Sequence, residues 1–407
     1  MQLLKKSLLF LGALLPLLTA SPLPQSPRKN DIIPGRYIVT LKEGSTKADL
    51  ENHVSWAASV QSSNLALGSS AEGVRKIFSI NKYNGYSGTF DAKSLEEIRA
   101  NPEVAYIEPD RVVYLADIVE QQNAPWGLGS ISHRTAGATT FAYDSNGGTG
   151  TYAYVMDTGI NTAHVDFEGR AILGYNAMPR YPHRDTNGHG THVAGSIGSK
   201  TYGVAKKATL ISVKVFEGSQ GTYEAILDAY RWSVDDITKN NRKGKAAINM
   251  SISGGVYQPL NSAIESAFQA GVTTVVAAGN DGHDASRNSP ASAANAITVG
   301  AIRSDNTRAS FSNYGRVLDI FAPGENILST WIGSTSATRS ISGTSMATPH
   351  ITGLVNYLQS LEDHPTPTSI TNRLIELATT GQVKSPGSGS PNRLAYNNSG
   401  RFVMVAA

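Results

Sequence analysis

The chain has 407 residues, 40% hydrophobic and 16% charged, so it can bury a full core and has room for two or more domains of the usual ~100 to 200 residues. Its 35 lysines and arginines barely outnumber 32 aspartates and glutamates, and a dispersed net charge of +3 gives no footing for nucleic acid. There is no cysteine, which excludes a thiol nucleophile, cysteine-ligated zinc and any disulfide framework.

The first residues read as an export signal: Lys5 and Lys6, an apolar run from Leu8 to Leu18, then Thr19-Ala20 ahead of a proline-rich segment. This assigns residues 1–20 to a signal peptide cut after Ala20, and the product to the extracellular space. A membrane anchor is the weaker alternative, because the run is about half the ~20 residues that cross a bilayer and Pro16 interrupts it. Without disulfides, an exported protein must take its stability from packing and bound metal.

After an extended lead-in at residues 21–28, the pattern predicts a strand at Arg36 to Leu41 and a helix at Lys47 to Gln61. Strands follow near Val74 to Ile80 and Tyr86 to Asp91, then a helix at Ser94 to Ala100 and a strand at Val104 to Ile107. That βαββαβ order describes a small α+β, ferredoxin-like sheet with helices on one face.

Beyond Thr151, apolar β-rich runs alternate with helical stretches. Strands are predicted at Tyr152 to Met156, Thr209 to Phe216, Ala246 to Ile252 and Val272 to Ala277, with helices at Tyr223 to Thr238 and Leu260 to Gln269. Runs buried on both faces imply a parallel sheet flanked by helices, an α/β domain whose sites lie at the C-terminal strand ends. Asp157, Ser251 to Gly254 and Ala278 to Asn280 fall at such ends.

Three residues there can assemble the acid, base and nucleophile of acyl transfer: Asp157 in VMDTG, His189 in NGHGTHVAG and Ser345 in SGTSMATPH. Singly, each is more often a turn or cap residue; their order together points to peptide-bond hydrolysis. A zinc pair of His189 and His192 lacks the i, i+4 spacing and intervening Glu of metalloproteases, and an aspartic protease needs a second carboxylate motif that is absent. Gly343-Thr-Ser-Met-Ala347 also fits an esterase elbow, but there acid and histidine follow the serine, and here only His350 and His364 do. A binding protein on an inactive protease scaffold is the other rival; its expected mark, a missing catalytic residue, is not found. Ser345 lies where a glycine-rich turn opens a helix, so its backbone N–H suits an oxyanion.

From APWGLGSISH at Ala124 through DTGI, GHGTHVAG, NMSISGG, AAGN, SFSNYG, LDIFAPG and GTSMATPH to LAYNN near Asn398, the chain resembles the subtilisin-like serine proteases, most closely their proteinase K-like fungal branch. The resemblance implies residues 21–118 as an inhibitory propeptide that is removed, a permanent accessory domain being the alternative, and residues 119–407 as the catalytic domain. It implies a monomeric, autoprocessed endopeptidase that acts on proteins and peptides without a catalytic cofactor, and Asn280 as the oxyanion side chain. Ser219 to Tyr223, with Gly221, and Ser251, Ile252, Ser253 and Gly254 would sandwich an extended peptide. Ser251 to Gly254 and Ala277 to Gly279, including Ala278, would line an uncharged S1 pocket favouring large apolar side chains, and Tyr223 resembles the residue that lids S4.

Structural calcium would use the Asp319 carboxylate with carbonyls near Ala294 and Ala296. Arg134 occupies the place of an oxygen ligand in the family's second calcium site, and Val193 replaces a cysteine common in this branch. Two sequons occur, at Asn249 and Asn397; a glycan on Asn249 would obstruct folding, so Asn397 is the expected acceptor.

Overall fold

Alternation over the first predicted strand turns Val39 and Leu41 inward, and pairing sets what they meet: Val39 lies opposite Tyr86 on one side and Ile107 on the other. The computed structural model describes residues 32–64, 71–111 and 118–399; the signal, the lead-in and the stretch just before Ile118 lie outside them. In chain order the first unit contains β1 (Ile32–Leu41), α1 (Lys47–Asn64), β2 (Gly73–Ile80), β3 (Tyr83–Thr89), α2 (Ala92–Ala100) and β4 (Val104–Arg111). The sheet runs β2-β3-β1-β4 with every neighbour antiparallel, the ferredoxin-like order that the sequence predicts. Leu50 and Ala57 of α1 and Leu95 and Ile98 of α2 close one face, and Asp91 caps α2 by accepting from Ser94 N at 2.9 Å.

The second unit opens with β5 (Ile118–Gln121), α3 (Trp126–Ser132) and β6 (Phe141–Asp144), β5 and β6 forming an antiparallel ribbon. There follow β7 (Tyr152–Asp157), β8 (Ala171–Asn176), α4 (His189–Gly198), β9 (Thr209–Lys214), α5 (Tyr223–Lys239), β10 (Ala246–Met250), β11 (Gly254–Gly255), α6 (Gln258–Gln269) and β12 (Thr273–Ala277). Then come β13 (Asn288–Ser289), β14 (Ile297–Ile302), β15 (Ile320–Pro323), β16 (Ile327–Thr330), β17 (Thr338–Ile341), α7 (Thr344–Leu361), α8 (Pro367–Leu377), β18 (Thr379–Thr380) and β19 (Arg393–Leu394).

The main sheet has the order β18-β19-β15-β14-β12-β10-β7-β9-β8, parallel throughout except for β18. Neighbouring residues on its strands serve opposite cores, as a sheet buried on both faces requires. Ala247 and Val275 pack beneath Ile351, Leu354 and Val355 of α7, whereas Ile248 and Val276 pack against Ile226 of α5 and Ile264 of α6. Strands β9 and β10 stop at Lys214 and Met250, two residues before their predicted ends, because there the chain leaves the ladder.

Candidate active site

The parallel sheet delivers Asp157 at the end of β7, with its side chain 2% exposed. Its carboxylate accepts from Thr158 N at 2.8 Å and faces His189 Nδ1 at 2.8 and 2.9 Å. His189 is the first residue of α4 and keeps 28% of its side chain exposed, so one ring edge is braced and the other is open. Burial pulls the imidazole's pKa down, but the Asp157 charge and hydrogen bond push harder the other way, and the net shift is upward. Gly188, at φ 104, makes the sharp entry to α4; a Cβ there would lie 2.4 Å from the Trp331 ring.

Ser345 is the second residue of α7, and its neighbour Met346 packs with Val193, Ala194 and Ile197 of α4, so the two helix starts converge. The Ser345 hydroxyl donates to Ser251 O at 3.2 Å, while Ser251 Oγ donates back to Ser345 O at 2.9 Å. Among the described residues no hydrogen bond joins Ser345 Oγ to His189. Asn280 follows β12 by three residues and its Oδ1 accepts from Thr344 N at 2.8 Å and Thr344 Oγ1 at 2.9 Å. With its oxygen committed to Thr344, exposed Asn280 keeps its NH2 group as a donor beside the start of α7, whose first-turn N–H groups have no helical partners.

The groove segments differ in form. Ser251 to Ser253 are extended beyond β10, and β11 pairs antiparallel with β13, which covers one edge. On the facing side Glu217 and Gln220 bond each other's backbones at 3.0 Å, and Gly221 then passes so close that a Cβ would lie 2.5 Å from Val215 O. Tyr223 is the first residue of α5, the helix start that the sequence predicts, because Thr222 caps that helix by accepting from Ala225 N. From there its ring stacks on Tyr257 at 3.9 Å and its hydroxyl donates to Gly255 O at 3.0 Å, spanning the groove. Ala278 and Gly279 are buried beside Ser253.

Two residues that sequence reasoning passed over hold these parts. Buried Asp185 accepts from Thr158 Oγ1, Asn187 N, Gly188 N, Thr191 N and Thr191 Oγ1, tying the turn after Asp157 to the start of α4. Buried Asn313 donates to Ala278 O at 2.9 Å and accepts from Asp281 N and His283 N, fixing the turn that carries Ala278, Gly279 and Asn280. Only SFSNYG, read as a motif, hinted at Asn313. His192 is turned away from His189: its Nε2 donates to Ile327 O at 2.9 Å, and burial depresses its pKa to about 4.

The sequon expectation is corrected here. Asn397 is 2% exposed and its Nδ2, the atom that would carry a glycan, donates to Ala142 O at 2.8 Å. Asn249 is equally enclosed: its Nδ2 donates to Ser251 Oγ at 3.0 Å and its Oδ1 accepts from Thr352 Oγ1 at 2.8 Å. Neither side chain has room for a sugar in this fold.

Asp319 sits beside β14 with Oδ2 accepting from Thr298 N at 2.8 Å, and burial raises its pKa to about 6. Ala296 is buried and Ala294 exposed nearby. Arg134 donates to Thr379 Oγ1 at 3.0 Å and stacks over Tyr396 at 4.0 Å, so a guanidinium serves as a clamp on the C-terminal strands.

An imidazole braced by a carboxylate and a serine at a nearby helix N-terminus are the parts that a hydrolase of the activated-serine class requires. Residues 148–395 match the Subtilase family and residues 36–116 match the Peptidase inhibitor I9 family. The chain is 55% identical over 404 residues to a subtilisin-like protease of Coccidioides posadasii, covering 98% of this chain and 97% of that one. It is 53% identical over 402 residues to alkaline protease 1 of Aspergillus clavatus, covering 98% and 99%. A crystal structure of a cold adapted subtilisin-like serine proteinase superposes with a TM-score of 0.63 at 38% identity, covering 68% of this chain and 99% of that one. The chain belongs to the subtilase family: it is a serine endopeptidase with an I9 inhibitor domain ahead of its catalytic domain.

Proposed function

We propose that Asp157, His189 and Ser345 are the triad of an exported, self-processing endopeptidase of broad specificity. The observation that carries this is the Asp157 carboxylate gripping His189 Nδ1 beside the start of α7. In that role Ser345 Oγ swings from Ser251 O toward His189 Nε2, gives up its proton and bonds to the substrate carbonyl carbon. The resulting oxyanion is met by the Ser345 N–H and by Asn280 Nδ2, and His189 passes its proton to the leaving amine. Water then repeats the sequence against the acyl-enzyme and frees Ser345.

The peptide lies between the 219–223 segment and Ser251 to Gly254, with its side chain before the scissile bond against Ala278 and Gly279. Walls without charge favour large apolar groups there. Residues 1–20 are the signal, 21–118 the propeptide and 119–407 the mature enzyme, released outside the cell. Among the described residues no helix is long and apolar enough to cross a membrane.

A fluorophosphonate probe is expected to attach to Ser345 alone, as peptide mapping by mass would report. Label on another serine, or none on enzyme that cleaves casein, sinks the assignment.

Calcium fits Asp319. Its carboxyl is held near neutrality by burial, and a hard dication supplied with further carbonyl oxygens from Ala294 and Ala296 would favour the ionised form. Asp319 binds the more ionised it is, so calcium should raise Tm more at pH 8 than at pH 5, and Asp319→Asn should remove that gain. An equal gain in the variant places the ion elsewhere.

A further inference from the structure

Lys214 closes β9 just below the site, and its side chain is 0% exposed. An ammonium has three protons to place, and burying it costs several kcal/mol unless all find acceptors. Here Nζ donates to Phe216 O at 2.7 Å and Thr158 O at 2.8 Å, and the Glu217 carboxylate pairs with it through Oε2 at 2.9 Å. These partners lie on two segments, the turn after Asp157 and residues 216–217.

Thr158 directly follows Asp157, and its hydroxyl accepts from Gly190 N at 2.9 Å, next to His189. Glu217 is 25% exposed and reaches with its other oxygen to Thr186 Oγ1 at 2.9 Å, in the loop that leads into α4. Through its backbone Glu217 also forms the tight turn with Gln220 that starts the 219–223 side of the groove. One buried cation therefore ties the acid turn, the histidine loop and one wall of the peptide groove into a single piece.

Resting on the triad reading above, we infer that Lys214 and Glu217 are positioning residues that couple the peptide-binding segment at 219–223 to the Asp157–His189 pair. Contacts of a long substrate with that segment then help hold the base in line, which is how binding energy distant from the scissile bond enters turnover. A substrate too short to reach the segment cannot draw on this link.

The test compares a single-residue ester with a tetrapeptide amide on wild type, Glu217→Gln and Lys214→Met, with Tm followed alongside. The ratio of kcat/KM for tetrapeptide over ester is expected to fall on the order of ten-fold in Glu217→Gln, mostly through kcat on the tetrapeptide. Lys214→Met should repeat the pattern where it folds; Glu217→Gln, altered at the partly exposed end, decides the matter if it does not. A parallel fall on both substrates, or an unchanged ratio, makes the pair purely structural and overturns the proposal. The rate of fluorophosphonate labelling separates the two readings: a failed triad leaves wild type unlabelled at Ser345, whatever the pair does.

Discussion

Ser345→Ala is expected to leave the chain folded but unable to release its own propeptide, with residues 36–116 still attached after purification. In subtilisin itself, removal of the nucleophile costs on the order of a million-fold in kcat, and that is the scale expected against casein or a peptide amide. The change should be gentle to the fold. Ser345 Oγ makes one hydrogen bond, of 3.2 Å to Ser251 O, from a partly exposed position, and the reciprocal bond from Ser251 Oγ to the Ser345 carbonyl survives the substitution. A stability loss within about 1 kcal/mol follows. Gel mobility of the purified variant, checked by intact mass against 43.2 kDa for the whole chain less any signal, reads out processing. A processed Ser345→Ala protein, prepared free of wild type, would transfer the role of nucleophile to another residue.

Asp157, His189, Ser345 and Asn280 were legible because each sits in a glycine-flanked turn at a strand or helix end, and such turns are local. The ferredoxin-like sheet was legible for the same reason, since each strand alternates and each helix follows its own period. What the sequence hid depends on distant pairing. Strand β8 escaped notice because it is the edge of the main sheet, with Ile172 and Leu173 exposed and a register shift between Leu173 and Tyr175.

Asp185 and Lys214 look like ordinary charged residues in the chain; only folding shows five donors converging on one, and two carbonyls and a carboxylate on the other. Asn397 misled in the opposite direction. A polar stretch near the C-terminus reads as surface, yet the Asn397 side chain stitches residues 397–399 to Ala142 and is sealed beneath the fold.

Asp157→Asn should lower kcat/KM on the order of ten-thousand-fold and move its acid limb to lower pH. Asn can keep the bond to Thr158 N through Oδ1, which turns its NH2 group toward His189 Nδ1. A donor facing Nδ1 holds the ring protonated on Nε2, the tautomer that cannot take a proton from Ser345. The pH shift has a separate cause. In the native site the Asp157 charge outweighs burial and lifts the imidazole above its ordinary 6.5, so the neutral base accumulates only at higher pH. Without that charge, burial is opposed only by the more distant Asp185 carboxylate, and the imidazole's pKa comes down. Stability shifts in step: the raised value means the native pair stabilises the fold fully below the unfolded pKa and loses that contribution as pH rises through the folded one. The variant should therefore lose most stability in acid and least at alkaline pH. A pH profile of peptide amide hydrolysis, with Tm measured at each pH, checks all three effects; a plateau within ten-fold of wild type or an unmoved limb would show that Asp157 neither sets the tautomer nor tunes the base.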